Sequence, residues 1–276
     1  MKFTGERYVP ELTGSIEFEH MNRYYFVINQ IDLKNKVVLD IASGEGYGSE
    51  LLAKHAKYVY GVDISKESIS HSSLKYKRDN LIFIEGDAVS IPLNDGVVDV
   101  VVSFETIEHH DRHEEMLSEI KRVLKKKGML IMSSPDKQFF FDKGKNDFHI
   151  KELYYDEFKE LISKYFKKTF LYSQTIFDGS LIALDENNEQ YKKPIIVNKQ
   201  GDSNYILPIY NVGIGTDDLD FYPEQQIVLY NDTKLLSSTN SEIELAVQAV
   251  RNTKAFRLGK FILKPLSFIR EKLIKL

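Results

Sequence analysis

Asp40, Gly44, Gly46 and Asp63 are the residues of this chain whose types and spacing speak most directly of chemistry. The stretch Val37 to Tyr47 reads VVLDIASGEGY, an apolar run that ends in an acid before a turn of small residues. The turn opens into a helical stretch, Tyr47 to Lys54. A buried parallel strand, a glycine-rich loop and a helix, in that order, cradle a nucleotide-like ligand. Glycines at 44, 46 and 48 depart from the G-x-G-x-x-G pattern, whose helix N-terminus receives a pyrophosphate. Asp40 at the strand's mouth would repel a pyrophosphate but suits a cationic amino group. Gly44 and Gly46, with Ala42 beside them, let the backbone approach a ligand closely, which a larger side chain would block.

The same logic repeats downstream. Tyr58 to Val62 is a second apolar run, closed by Asp63 and Ile64. An acid about twenty residues past the glycine loop is placed to take both hydroxyls of a ribose. Leu81 to Glu85 reads as a third strand, ending at Gly86-Asp87-Ala88, where an acid or a backbone group can meet the amino edge of a purine. Val98 to Ser103 is a fourth strand, and Phe104 and Glu105 after it fall where the ligand crevice should lie. His109, His110 and His149 are the candidate acid–base groups, since an imidazole titrates near neutrality and can move a proton from an acceptor. Glu105 and Glu108 are alternative bases. His109, His110 and Asp111 could be read as metal ligands, but adjacent side chains diverge, so the sequence predicts no metal site.

These residues need a scaffold. Met129 to Ser133 is a fifth strand, Lys168 to Ser173 a sixth, and Tyr205 to Gly213 a seventh, antiparallel one. Helical spacing runs from Ile16 to Ile31, from Asp111 through Leu124, and from Glu152 to Lys164. The alternation predicts an α/β, Rossmann-like, doubly wound seven-stranded sheet with ligands at the carboxyl ends of its strands. Residues 174 to 203 read as a loop or short hairpin near the opening. The expected organisation is an N-terminal helical arm over 1–34, the ligand-binding domain over 35–216, and a linker with a C-terminal helix over 217–276. Arg7, Tyr8, His20, Arg23 and Tyr24 of the arm are placed to close over the ligand, with Arg23 facing a carboxylate. Lys125 to Lys127 read as a solvated helix end, favoured by the dipole.

The series LDIASGEGYG (39–48), GVDIS (61–65), GDAVSIPL (86–93), VVDVVVSFETIEH (97–109) and RVLKKKGMLIMSSP (122–135) resembles the class I S-adenosylmethionine-dependent methyltransferases, in the group often called type 11. Ser43 stands where many relatives have Cys. FTGERYVPE (3–11), EHMNRYYF (19–26) and FHIKELYYDEF (148–158) are similar to a narrower subgroup associated with bacterial surface-polysaccharide and glycan biosynthesis. The resemblance implies S-adenosylmethionine as cofactor. Asp40 and the glycine loop would hold its methionine part, Asp63 its ribose and Asp87 its adenine. It further implies O-methylation of a saccharide or glycan intermediate, and because no convincing ligand cluster appears and a sulfonium needs no Lewis acid, metal-independent catalysis is expected. The alternatives are an N-methyltransferase on an amino sugar, a methyltransferase on a lipid-soluble small molecule, or a non-catalytic protein that keeps the fold.

Composition bounds the partners. The chain has 276 residues, 42% of them hydrophobic, and a net charge of −4, which gives no general nucleic-acid surface. It has no Cys, hence no disulfide and no thiolate zinc site. MKFTGERYVPE lacks the apolar core of a signal peptide, and these features together predict a cytoplasmic protein. From Arg251 onward the local charge is +7, and Leu258, Phe261, Ile262, Leu266, Ile269 and Leu273 fall on one helical face. A basic amphipathic helix of this kind predicts docking on an anionic membrane surface, with packing or homodimerisation as the other uses of its apolar stripe.

Overall fold

The computed structural model describes residues 8–10, 15–140, 148–177, 179–184, 195–197, 203–205, 208–224 and 227–230. All of them belong to one compact unit, Met1–Tyr230, and a second unit is Asn231–Leu276. The predicted C-terminal helix, and Arg7 of the arm, lie outside the described residues. Among the described residues no helix is long and apolar enough to cross a membrane.

The first half alternates as its periodicities require. Helix α1 (Ser15–Gln30) precedes β1 (Val37–Ile41), α2 (Tyr47–Ala53), β2 (Tyr58–Asp63), α3 (Lys66–Lys75), β3 (Leu81–Glu85) and β4 (Val98–Ser103). A single 3-10 turn, Ile107–His109, then leads to α4 (His113–Val123), β5 (Leu124–Pro135), α5 (Lys137–Phe140) and α6 (Tyr155–Tyr165). Strands β6 (Lys168–Phe177), β7 (Gly179–Leu184), β8 (Ile195–Val197), β9 (Ser203–Tyr205), β10 (Tyr210–Thr216) and β11 (Ile227–Tyr230) complete it. The main sheet runs β11-β7-β6-β10-β5-β4-β1-β2-β3, and β8 and β9 form a separate hairpin. Strands β1 to β5 are parallel, and β10 inserts antiparallel between β5 and β6. The strand order reverses between β1 and β4, and that reversal opens a crevice at their carboxyl ends.

The sheet has nine strands rather than the predicted seven. The sixth strand continues past Ser173 and folds back as β7, and β11 pairs with β7 from within the stretch expected to be a linker. The seventh predicted strand is β10, shifted toward the C-terminus. Because β11 sits in the main sheet, residue 216 is not an edge of the fold. Lys125 to Lys127 begin β5 instead of ending a helix, and Lys125 pairs with Asp99 at 2.8 Å.

Both faces of the sheet are covered, so its strands carry apolar residues on each side. Val38, Val100, Val102 and Ile131 pack toward α1 and α2, whereas Leu39, Ile41, Val101 and Leu130 pack toward α4 and α6. Helix α1 also buries polar groups. The Asn22 amide donates to the Ser180 carbonyl at 2.9 Å, and the Arg23 guanidinium donates to Gln174 Oε1 at 2.7 Å. Where α1 crosses α2, a Cβ on Gly48 would fall inside the Tyr24 ring. Overpacking of this kind costs about 1–3 kcal/mol. Gly48→Ala should therefore lower the denaturation midpoint, and pairing it with Tyr24→Ala should recover part of the loss. Additive losses in the double variant would show that the two positions do not compete for space.

Candidate active site

The crevice at the β1/β4 reversal opens into a cavity of about 590 Å³, within the size range of small-molecule sites, ~300–1,000 Å³. Its floor is the loop after β1. Ala42 (φ 57) and Gly44 (φ 54) both adopt left-handed backbone there, as does Glu105 (φ 47) just past β4. Left-handed conformations at non-glycine residues are strained and cluster at ligand sites. Here two of them face one cavity from adjacent strand ends.

Asp63 is buried at the end of β2. Its two carboxylate oxygens accept the Gly44 amide at 2.9 Å and the Ser65 amide at 2.8 Å. Charge-assisted bonds of this type fix the carboxylate without using up its lone pairs, so it can still accept the hydroxyls of a ligand. Ile64, Ala88, Phe104 and Asp87 share the same cavity wall. Burial alone would raise the Asp87 carboxyl; the Val89 amide and the Arg112 guanidinium, 3.0 Å away, reverse this and hold it below its ordinary range. Arg112 lines the cavity, although nothing in the local pattern HDRHEE marked it.

Asp40 and Gly46 are not on the wall. Asp40 is fully buried behind it, accepting Ser49 Oγ at 2.6 Å and the Tyr24 hydroxyl at 3.3 Å. It cannot grip a ligand's amino group directly; Tyr24 stands between them, lining the cavity. Burial pushes the Asp40 carboxyl up to about 7. Gly46 (φ 98) serves packing, since a Cβ there would lie 2.7 Å from Ser72 Cβ. Arg23 is also corrected. It is wholly buried, stacks 4.4 Å from the Tyr210 ring centroid, and pairs with Glu19 and Glu105. It supports the cavity-lining Glu105 from behind the wall, where it is not placed to pair with a ligand's carboxylate.

Tyr8, His20 and Tyr24 of the arm do line the cavity, with Tyr47 and Phe104. Tyr8 stacks on His20 at 5.4 Å, and Tyr24 meets Tyr47 and Phe104 edge-on at 5.5 and 5.2 Å. Burial, assisted by Arg23, drops His20 to about 3, so it is a neutral member of an aromatic wall. Such a wall favours a cationic ligand through its π faces.

The three candidate bases separate by geometry. His109 lines the cavity, and its Nδ1 lies 3.0 Å from the Phe148 carbonyl oxygen. A carbonyl only accepts, so Nδ1 carries the hydrogen and Nε2 keeps its lone pair. His110 also lines the cavity, but its Nδ1 accepts the Arg112 amide at 3.2 Å. Its hydrogen is therefore on Nε2, which is buried without a partner. Burial, then His113 and Arg112, lowers its basicity further. His149 is not on the wall; its Nδ1 lies 2.6 Å from Glu152 Oε1, and its ring meets that of His109 at 5.3 Å. The Glu108 carbonyl accepts the Ile150 and Lys151 amides, which ties this distant segment to the exit of β4.

Comparison with known proteins agrees with this architecture. Residues 39–132 match the family model of a methyltransferase domain. A Mycobacterium tuberculosis protein described as a probable S-adenosylmethionine-dependent methyltransferase is 34% identical over 167 residues, covering 59% of this chain and 60% of that protein. The chain thus spans less than two thirds of the length of this relative. The phthiotriol/phenolphthiotriol dimycocerosates methyltransferase of the same species is 31% identical over 111 residues, covering 40% of this chain and 41% of that enzyme. Among solved structures, a methyltransferase dependent on the same cofactor from Archaeoglobus fulgidus superposes with a TM-score of 0.53 at 19% identity, covering 72% of this chain and 93% of that one. The fold is that of the class I methyltransferases, and residues 39–132 are similar to a methyltransferase domain.

Proposed function

We propose that this chain is an S-adenosylmethionine-dependent methyltransferase that O-methylates a saccharide or glycan intermediate. The observation that carries the cofactor reading is the buried Asp63 carboxylate, held by two backbone amides and facing the cavity at the strand reversal. Asp63 takes the ribose hydroxyls, Ile64, Asp87 and Ala88 the adenine side, and the Ala42–Gly44 backbone with Tyr24 the methionine side. When bound, the cofactor supplies a methyl group on a sulfonium, open to in-line displacement. The chain's own task is to align an acceptor oxygen with that carbon, for which approximation is worth several kcal/mol, and to take up its proton. His109 Nε2 meets the second requirement.

A saccharide acceptor is favoured by the polar residues Glu105, Thr106 and His109 on the cavity wall, together with the resemblance at 3–11, 19–26 and 148–158. A lipid-like acceptor is the second reading, supported by the name of the dimycocerosates enzyme and by exposed Phe148 at the rim. Calorimetry should detect binding of S-adenosylmethionine or its demethylated product but not of NAD. Asp63→Ala should weaken that binding by roughly 1.5–3 kcal/mol, as for bonds to a charged acceptor. Unchanged affinity would remove Asp63 from the site. Labelled-methyl transfer to glycan intermediates, run beside hydroxylated lipids, decides between the acceptors. Docking on anionic membranes by the basic C-terminal stretch belongs to the same proposal. It is tested by liposome sedimentation of the full chain against one ending at Asn252.

A further inference from the structure

Glu108 is the anomaly of the site. Its side chain is 1% exposed, and neither carboxyl oxygen has a hydrogen-bond partner. A buried carboxyl group left without partners is costly. What lies beside it explains the arrangement. One ligand atom each from Glu108, His109 and His149 falls within 4.8 Å of the other two. Both imidazoles are oriented alike, because His109 Nδ1 donates to the Phe148 carbonyl and His149 Nδ1 donates to Glu152. The His109 ring is thereby held in the tautomer whose Nε2 carries the lone pair. An outer carbonyl or carboxylate holding Nδ1–H is the usual support of a metal-binding histidine.

We propose that Glu108, His109 and His149 bind a divalent first-row transition ion at the cavity's acceptor end. Two imidazoles and one carboxylate, with no thiolate in the chain, suit Zn²⁺, Co²⁺, Fe²⁺ or Mn²⁺. Bonds of about 2 Å to such an ion bring tetrahedral ligand atoms to roughly 3.3 Å from one another. Small side-chain rotations from the present separation suffice. Three protein ligands leave a further position, and His109 forms part of the cavity wall, so that position takes the acceptor oxygen. The ion lowers the pKa of the coordinated hydroxyl. The proton leaves to water, the oxygen's electron pair forms the new bond to the methyl carbon, and the carbon–sulfur bond breaks to a neutral thioether. His109 then acts as a ligand rather than as the base itself, a reading opposed to the sequence-based expectation of metal-free catalysis.

The role rests on the acceptor-end reading above, whereas ion binding is measured without acceptor or cofactor. The full chain, stripped with a chelator and desalted, is titrated with Zn²⁺ and with Mn²⁺ by calorimetry, and with Co²⁺ by its visible absorption. One ion per chain is expected. Glu108→Gln and His149→Gln should weaken uptake at least 100-fold, and Glu152→Gln, which frees the His149 ring, about 10–100-fold. His55→Gln, on the exposed surface, should change nothing. Binding of the demethylated cofactor in each variant reports its folding; if buried Glu108→Gln fails that check, His149→Gln and Glu152→Gln carry the test. No stoichiometric uptake by the wild type, or equal uptake in the folded variants, overturns the proposal. Cofactor binding without ion uptake defeats the metal site alone, and ion uptake without cofactor binding defeats the methyltransferase reading alone.

Discussion

His109→Ala should lower turnover by roughly 10²–10⁴-fold, the span of a lost acid–base group, while cofactor affinity should stay near wild type. The ring lies on the cavity wall and presents its Nε2 lone pair, so its removal takes away the group proposed to handle the acceptor's proton, directly or through a bound ion. His110→Ala has a much smaller effect. The neighbouring amide occupies the Nδ1 lone pair of His110, and the remaining nitrogen can only donate. Steady-state kinetics on the two variants, with cofactor titrations alongside, reads this asymmetry. A His109 variant that turns over normally would leave alignment as the whole of catalysis.

Asp40→Asn reshapes the dependence of stability on pH. Burial raises the folded Asp40 carboxyl from 3.8 to about 7, so between those pH values the folded chain holds a proton that the unfolded chain has released. Stability then falls as pH rises through this window, the reverse of the behaviour of a salt-bridged acid. The difference corresponds to on the order of 4 kcal/mol. The Asn side chain does not titrate, but its buried NH₂ imposes a constant offset. Urea unfolding of both proteins at pH 4 and pH 8 cancels that offset. The variant should gain several kcal/mol relative to wild type at the higher pH. Parallel curves would mean that the carboxyl ionises at its ordinary value despite its burial.

Much of the site could be read from the chain because strand ends and glycine loops are local signals. Asp63, Asp87, Ala42 and Gly44 lie where periodicity and spacing put them. Asp40 did not follow, for a reason of alternation. Successive strand residues face opposite sides of a sheet, and Asp40 shares the side of Val38, which α1 and α2 cover. Which helix covers which face is not a local property. Arg23 was misread for the same reason, since its partners Gln174, Glu105 and Tyr210 come from distant strands. The meeting of Glu108 with His149 depends on backbone bonds between the 3-10 turn and residues 150–151, which no motif spacing encodes. The extra strands were missed because β11 is four residues long and finds its partner only across the fold.

The anchoring of α1 has a consequence for the order in which the molecule becomes competent. Asn22 bonds to Ser180 and Val228, 158 and 206 residues away, while Tyr24 of the same helix forms part of the cavity wall. A nascent chain that has emerged only as far as β5 already owns the glycine loop, the strand-end acids and the α2 and β1 surfaces on which Tyr24 packs, but lacks the partners that anchor Asn22 of the same helix. Contacts of such high sequence separation form slowly, since a long loop must close before they are rewarded. The full anchoring of α1 thus waits on residues as far along as Val228, and ligand affinity is expected to reach its final value only once they have been made.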